Sequence, residues 1–157
     1  MKKIFLMMCM VVAMSASAQK TTFVNGAEIG MAYDAALAAL KAELGEPAKA
    51  AAGEVEFANK TYQGMKFEKI VYFFSNNKLS GARFYAASPS KAVAVKNMET
   101  LANKLQSYKV ARDTEDDGTP FYKGGESPVS YEHLFTIYTQ KVGPKFMAIL
   151  RYGPFEI

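Results

Sequence analysis

The residues with most chemical potential in this chain fall in two short stretches of its C-terminal half. The first, Asp113-Thr114-Glu115-Asp116-Asp117-Gly118, sets carboxylates at every second position and ends in glycine. A calcium-binding loop opens this way, with alternate oxygens converging on a hard cation. The place where a bidentate Glu would close such a loop is held by Gly124. The segment therefore reads as a solvated acidic turn. The second stretch, Glu132-His133, holds the only histidine. A single imidazole without companions lacks the ligand set of a zinc site. As a general base, His133 needs a nucleophile and a cleft, and no sequence neighbour supplies either. Glu68 and Glu132 recur at matching places in two similar stretches, but on separate hairpins, so the close carboxylate pair of glycosidic chemistry is not indicated. No Gly-x-Ser-x-Gly elbow, phosphate loop or dinucleotide fingerprint occurs. The expectation is a non-enzyme with no catalytic residues, no metal and no cofactor.

The lone cysteine, Cys9, lies in what reads as a leader. Lys2 and Lys3 precede an apolar run from Ile4 to Met14, and Ala16-Ser17-Ala18 offers small residues for cleavage before Gln19. This is the pattern of a secretory signal peptide, residues 1–18, and the run is shorter than the roughly 20 apolar residues that span a bilayer. Met8 stands where lipidation of Cys9 would require a small residue. The expected mature chain, 19–157, is one domain without disulfides, periplasmic or extracellular, with no stable membrane anchor after cleavage. The formal charge of +4 includes the two leader lysines. The remainder is close to balance and makes no electrostatic case for nucleic acid.

The elements that must position any site follow from periodicity. Leu37, Leu40 and Leu44 share one helical face, and Gly45 and Pro47 stop the helix, which places it near Tyr33 to Leu44. Val55 and Phe57 alternate with glutamates as a strand does. From Phe67 to Ala86, two apolar runs flank Asn76-Asn77, the signature of a hairpin with a two-residue turn. Counted from that turn, Phe73 faces Ser80, Val71 faces Ala82 and Lys69 faces Phe84. Ser88-Pro89 opens a second helix, carried by Ala94, Met98, Leu101, Leu105 and Tyr108. A second hairpin occupies Tyr131 to Tyr152, with a longer turn at Lys141 to Pro144.

The two halves echo each other. Leu37, Leu40 and Leu44 correspond to Met98, Leu101 and Leu105, and Val71 and Phe73 correspond to Phe135 and Ile137. The expected fold is α+β: two tandem helix-plus-antiparallel-hairpin units, about 29–87 and 88–153, forming one antiparallel sheet with both helices on one face. Val71, Phe73, Ala82 and Phe84 would then meet the helices. The opposite face would present Tyr72, Phe74, Arg83, Tyr85, Tyr138 and Arg151. Tyrosine- and arginine-rich faces have the composition of protein-binding surfaces.

Ile29-Gly30-Met31, the apolar helix after it and Leu44-Gly45-Glu46-Pro47 resemble the SmpA/OmlA family of envelope proteins, whose fold group includes the β-lactamase inhibitor protein. The resemblance covers the first helix, and both hairpins only as pattern. It implies a non-catalytic exported protein that binds other proteins, in the inhibitor through the concave face of its sheet. The chain departs from that group in lacking a lipidation motif and the inhibitor's disulfides, and its helix is longer than that of the lipoproteins.

The function expected from sequence is therefore an exported protein-binding or envelope accessory protein acting through an aromatic sheet face. A secreted enzyme inhibitor is the alternative within that class. A small ligand-binding protein or hydrolase using His133 is the alternative outside it.

Overall fold

A computed structural model describes residues 22–129 and 132–157. The leader expected at 1–18 lies outside the described residues. A two-residue hairpin, β1 (Phe23–Val24) and β2 (Ala27–Glu28), leads into helix α1 (Tyr33–Leu44), whose bounds match the leucine spacing. Strands β3 (Lys49–Ala51), β4 (Glu54–Tyr62), β5 (Met65–Ser75) and β6 (Lys78–Ser88) follow. Helix α2 (Lys91–Lys104) then runs into a 3-10 turn at Gln106–Tyr108. Strands β7 (Ala111–Thr114), β8 (Pro120–Gly124), β9 (Phe135–Val142) and β10 (Lys145–Tyr152) complete the chain. Among the described residues no helix is long and apolar enough to cross a membrane.

The eight strands β3 to β10 form one antiparallel sheet in the order β3-β4-β5-β6-β10-β9-β8-β7. This corrects the expected architecture. The chain does not build two helix-plus-hairpin units with both helices on one face; each helix leads into four strands, and β6 and β10 join the two runs at the centre. The additional strands were hidden for a physical reason. All three residues of β3 are exposed, and β7 is nearly so. An edge strand without a buried face has no apolar alternation to announce it. Lys49–Ala51, part of an alanine-rich stretch that reads as helix or loop, pairs with β4 instead.

The start of α2 also differs from expectation. Ser88 is the last residue of β6, and Ser90 is the N-cap, accepting a hydrogen bond from the Val93 amide at 3.3 Å. Ser88 Oγ accepts from Asn97 Nδ2 at 3.1 Å, tying the helix back to the strand. The second hairpin closes tightly, with Val142 paired to Lys145 and only Gly143-Pro144 between them.

The first hairpin decides which residues face which way. Asn76 and Asn77 take φ values of 50° and 63°, as the two-residue turn requires, and Ser75 pairs with Lys78. Beyond Phe74–Leu79 the register shifts, so that Phe73 pairs with Gly81, Tyr72 with Ala82 and Val71 with Arg83. Ser80 is the extra residue of a β-bulge. From the bulge onward every side chain of β5 lies on the face opposite to the one counted from the turn, because strand side chains alternate with period two.

Two cross-strand rows therefore line the core. One runs Val55, Tyr72, Ala82, Tyr152, Phe135, and the next runs Phe57, Ile70, Phe84, Leu150, Ile137. All ten belong to one buried cluster with Leu40 and Leu44 of α1 and Met98 and Leu101 of α2. Phe84 is the hub, its ring in contact with those of Tyr62, Phe67, Tyr72 and Tyr152. Burying each of the larger apolar side chains in these rows stabilises the fold by about 1.5–3 kcal/mol. Val71 and Phe73, expected in this layer, lie on the reverse of the sheet. Their supposed echoes Phe135 and Ile137 lie in the core, so that correspondence is out of step by one residue.

Candidate functional site

The reverse of the sheet is built from rows that cross all the strands. Lys49, Glu56, Val71, Arg83, Arg151, Thr136, Lys123 and Ala111 stand opposite one another in consecutive pairs from edge to edge. The neighbouring row is Ala58, Lys69, Tyr85, Ile149 and Tyr138. Of the six residues expected to form a binding face, four are brought together here: Arg83, Tyr85, Tyr138 and Arg151. Each is half-buried, around a floor of buried Val71, Met147 and Ile149.

Tyr72 and Phe74 are not part of this face, and their assignment to it is corrected. Tyr72 is fully buried, and its hydroxyl donates to Asn25 Oδ1 at 2.9 Å. Burial pushes its phenol well above the ordinary range. Phe74 packs edge-on against Tyr33 of α1, with ring centres 4.8 Å apart. Both misplacements follow from the Ser80 bulge. Phe73 takes the place expected of Phe74, its ring beneath the Arg83 guanidinium at 5.4 Å. The available signal was Gly81, since glycine inside a strand marks a bulge or a close backbone approach. A Cβ at Gly81 would lie 2.6 Å from the Tyr152 carbonyl oxygen.

The electrostatics of the face are uneven. Lys69 Nζ lies 4.0 Å from Glu56 and over the Tyr85 ring at 5.0 Å. Lys49 meets Glu54 at 3.5 Å, Lys145 meets Glu68 at 2.7 Å and Lys123 meets Asp113 at 2.6 Å. Each of these lysines has a carboxylate. Among the described residues, neither Arg83 nor Arg151 has one within 4.0 Å, and Arg151 Nε is buried with no hydrogen-bond partner. Burial raises the Tyr138 phenol above its usual value, against the lowering influence of Arg83 and Arg151.

The other chemically suggestive residues lie elsewhere. The Lys123 ammonium holds the Asp113 carboxyl below its usual range, and hydrogen bonds from Thr119 do the same for Asp117. These carboxylates thus serve the β7–β8 hairpin, and among the described residues no cluster of three or more His, Cys, Asp or Glu is arranged to hold a metal. His133 is exposed. It lines an open groove of about 720 Å³ with Tyr108, Lys109, Glu126 and Glu132. It also borders a recess of about 430 Å³ that includes Arg151, Phe155 and Glu156. The sequence did not show that His133 shares a concavity with Glu126 and Tyr108, because residues separated along the chain meet there only in the tertiary structure.

Among the described residues the fold is thus an eight-stranded antiparallel sheet with two α-helices and a short N-terminal hairpin, and its candidate site is a tyrosine–arginine sheet face. No family model, no curated protein and no solved structure matches the chain. No enzyme family or enzyme homologue is identified for it.

Proposed function

We propose that the protein is an exported, non-catalytic binding protein that engages a protein partner through the face formed by Arg83, Tyr85, Tyr138 and Arg151. The observation that carries this reading is the grouping of two tyrosines and two carboxylate-free arginines on adjacent rows around an apolar floor. Tyr and Arg are the residue types that concentrate binding energy when a partner desolvates them. Export rests on the leader pattern at 1–18, and the resemblance to the SmpA/OmlA group points the same way. The experiment is affinity capture from native envelope and secreted fractions, comparing wild type with Tyr85→Ala/Tyr138→Ala. Loss of a specific partner from the variant supports the face; equal recovery of every partner rejects it.

The groove holding His133 with Glu126 and Glu132 favours a second reading, binding of a small ligand there. A His133→Ala variant that loses ligand-induced thermal stabilisation, with the sheet face intact, would support that reading over the first.

A further inference from the structure

We propose that Arg83 and Arg151 together form a receptor for a carboxylate, the side chain of an Asp or Glu on the partner protein. This rests on the protein-binding reading above and specifies the chemistry of the partner.

The two arginines stand directly opposite each other on the two central strands. Like charges in that relation repel, which is a cost to the sheet. An acidic neighbour would normally relieve it, and acidic residues lie close by. Glu56 shares the row and Asp113 lies at its far end, but Lys69 and Lys123 engage them, as Lys145 engages Glu68. Among the described residues neither guanidinium has a carboxylate within 4.0 Å; Glu132 and Glu156 line the recess that Arg151 borders, without pairing with it at that distance. Arg83 rests on the Phe73 ring, which fixes its position while its donors remain unused by any carboxylate. Arg151 borders the 430 Å³ recess and carries a buried, unpartnered Nε. Buried donors ordinarily find acceptors, and a guanidinium is the group best shaped to grip a carboxylate.

The surroundings select the source of that carboxylate. Val71, Met147 and Ile149 form an apolar floor beside the pair, and Tyr85 and Tyr138 flank it. A free inorganic anion would use none of this surface. An acidic side chain at the centre of a protein interface would use both parts, with the apolar rim excluding water from the ion pair.

The test is an NMR titration of the protein purified from full-chain expression, observing the arginine Nε–Hε resonances. The probes are a capped peptide of alternating Glu and Tyr, the same peptide with Gln for Glu, and inorganic phosphate. Saturable shifts of Arg83 and Arg151 with the Glu peptide alone, weakened at least tenfold in Arg83→Gln and Arg151→Gln, are expected. Absence of those shifts, or equal shifts with the Gln peptide, would overturn the proposal. Equal shifts with phosphate would replace it with a general anion site. The wild-type titration decides even if a variant fails to fold. Capture experiments separate the two levels: a partner lost from Tyr85→Ala/Tyr138→Ala but kept by both arginine variants rejects the carboxylate receptor and leaves the face reading standing. A partner kept by all of them rejects the face itself.

Discussion

The hydroxyls of Tyr62 and Tyr152 meet at 3.0 Å beneath the sheet, joining β4 to β10 across the two strands between them. Tyr152 is almost wholly buried, and burial pushes its phenol well above the ordinary value of 10.0. The Tyr62 phenol is raised for the same reason. In the unfolded chain both phenols would lose their protons near that ordinary value, whereas the fold keeps them protonated. The unfolded state therefore binds fewer protons above pH 10, and stability falls as pH rises from there toward the folded-state values. Urea denaturation between pH 8 and 11 should show a flat profile to about pH 9.5 and a decline above it. Tyr152→Phe should cost about 1 kcal/mol at neutral pH and make the alkaline decline shallower. A variant as steep as wild type would place the titration elsewhere.

The bulge at Ser80 makes a prediction about neighbouring phenylalanines. Phe84→Ala removes the hub of the aromatic cluster and should cost about 3–5 kcal/mol. Phe73→Ala removes a half-buried ring that lies beneath the Arg83 guanidinium, and should cost about 1 kcal/mol or less. Thermal or urea unfolding of the two variants measures the difference directly. Similar losses would mean that Phe73 belongs to the core and the register is wrong.

Gly81 tests the same feature from the other side. A Cβ there would approach the Tyr152 carbonyl oxygen to 2.6 Å, a backbone atom that cannot rotate away. Gly81→Ala should therefore destabilise by about 1–3 kcal/mol, as overpacking does. At Gly53, where an added Cβ meets nothing within 4 Å, the same substitution should be far milder. Equal midpoints for the two variants would refute the close approach.

Replacing Arg151 by methionine should raise stability. The change removes a like-charge neighbour of Arg83 and a buried unpaired donor while keeping an unbranched stem of similar length. The gain expected from the cross-strand term is roughly 0.2–1 kcal/mol, read as a higher urea midpoint with unchanged slope. Such a gain together with loss of partner capture is the pattern of a residue kept for binding at the expense of stability. A clear loss of stability would mean that the fold itself needs Arg151.

Much of the local structure is legible along the chain. Leu40, Leu44 and the Gly45 stop determine α1, because a leucine face and a helix terminator act over a few residues. Asn76-Asn77 determines the first turn, because both positions need positive φ and asparagine tolerates it. The grouping of Arg83, Tyr85, Tyr138 and Arg151 was also readable, since β6, β9 and β10 pair without a shift over these positions. The placement of Val71, Tyr72, Phe73 and Phe74 was not. It depends on Ser80, whose hydroxyl donates to the Phe73 carbonyl at 3.1 Å and whose own carbonyl accepts from the Phe155 amide at 2.7 Å. The second of those partners lies in the C-terminal tail, beyond the end of β10. The sequence by itself therefore determined the first helix, the Asn76-Asn77 turn and the residue types of the face, which depend on near neighbours. Only the tertiary structure decided which side of β5 those types occupy, because the bulge that sets it is held by a segment nearly half the chain away.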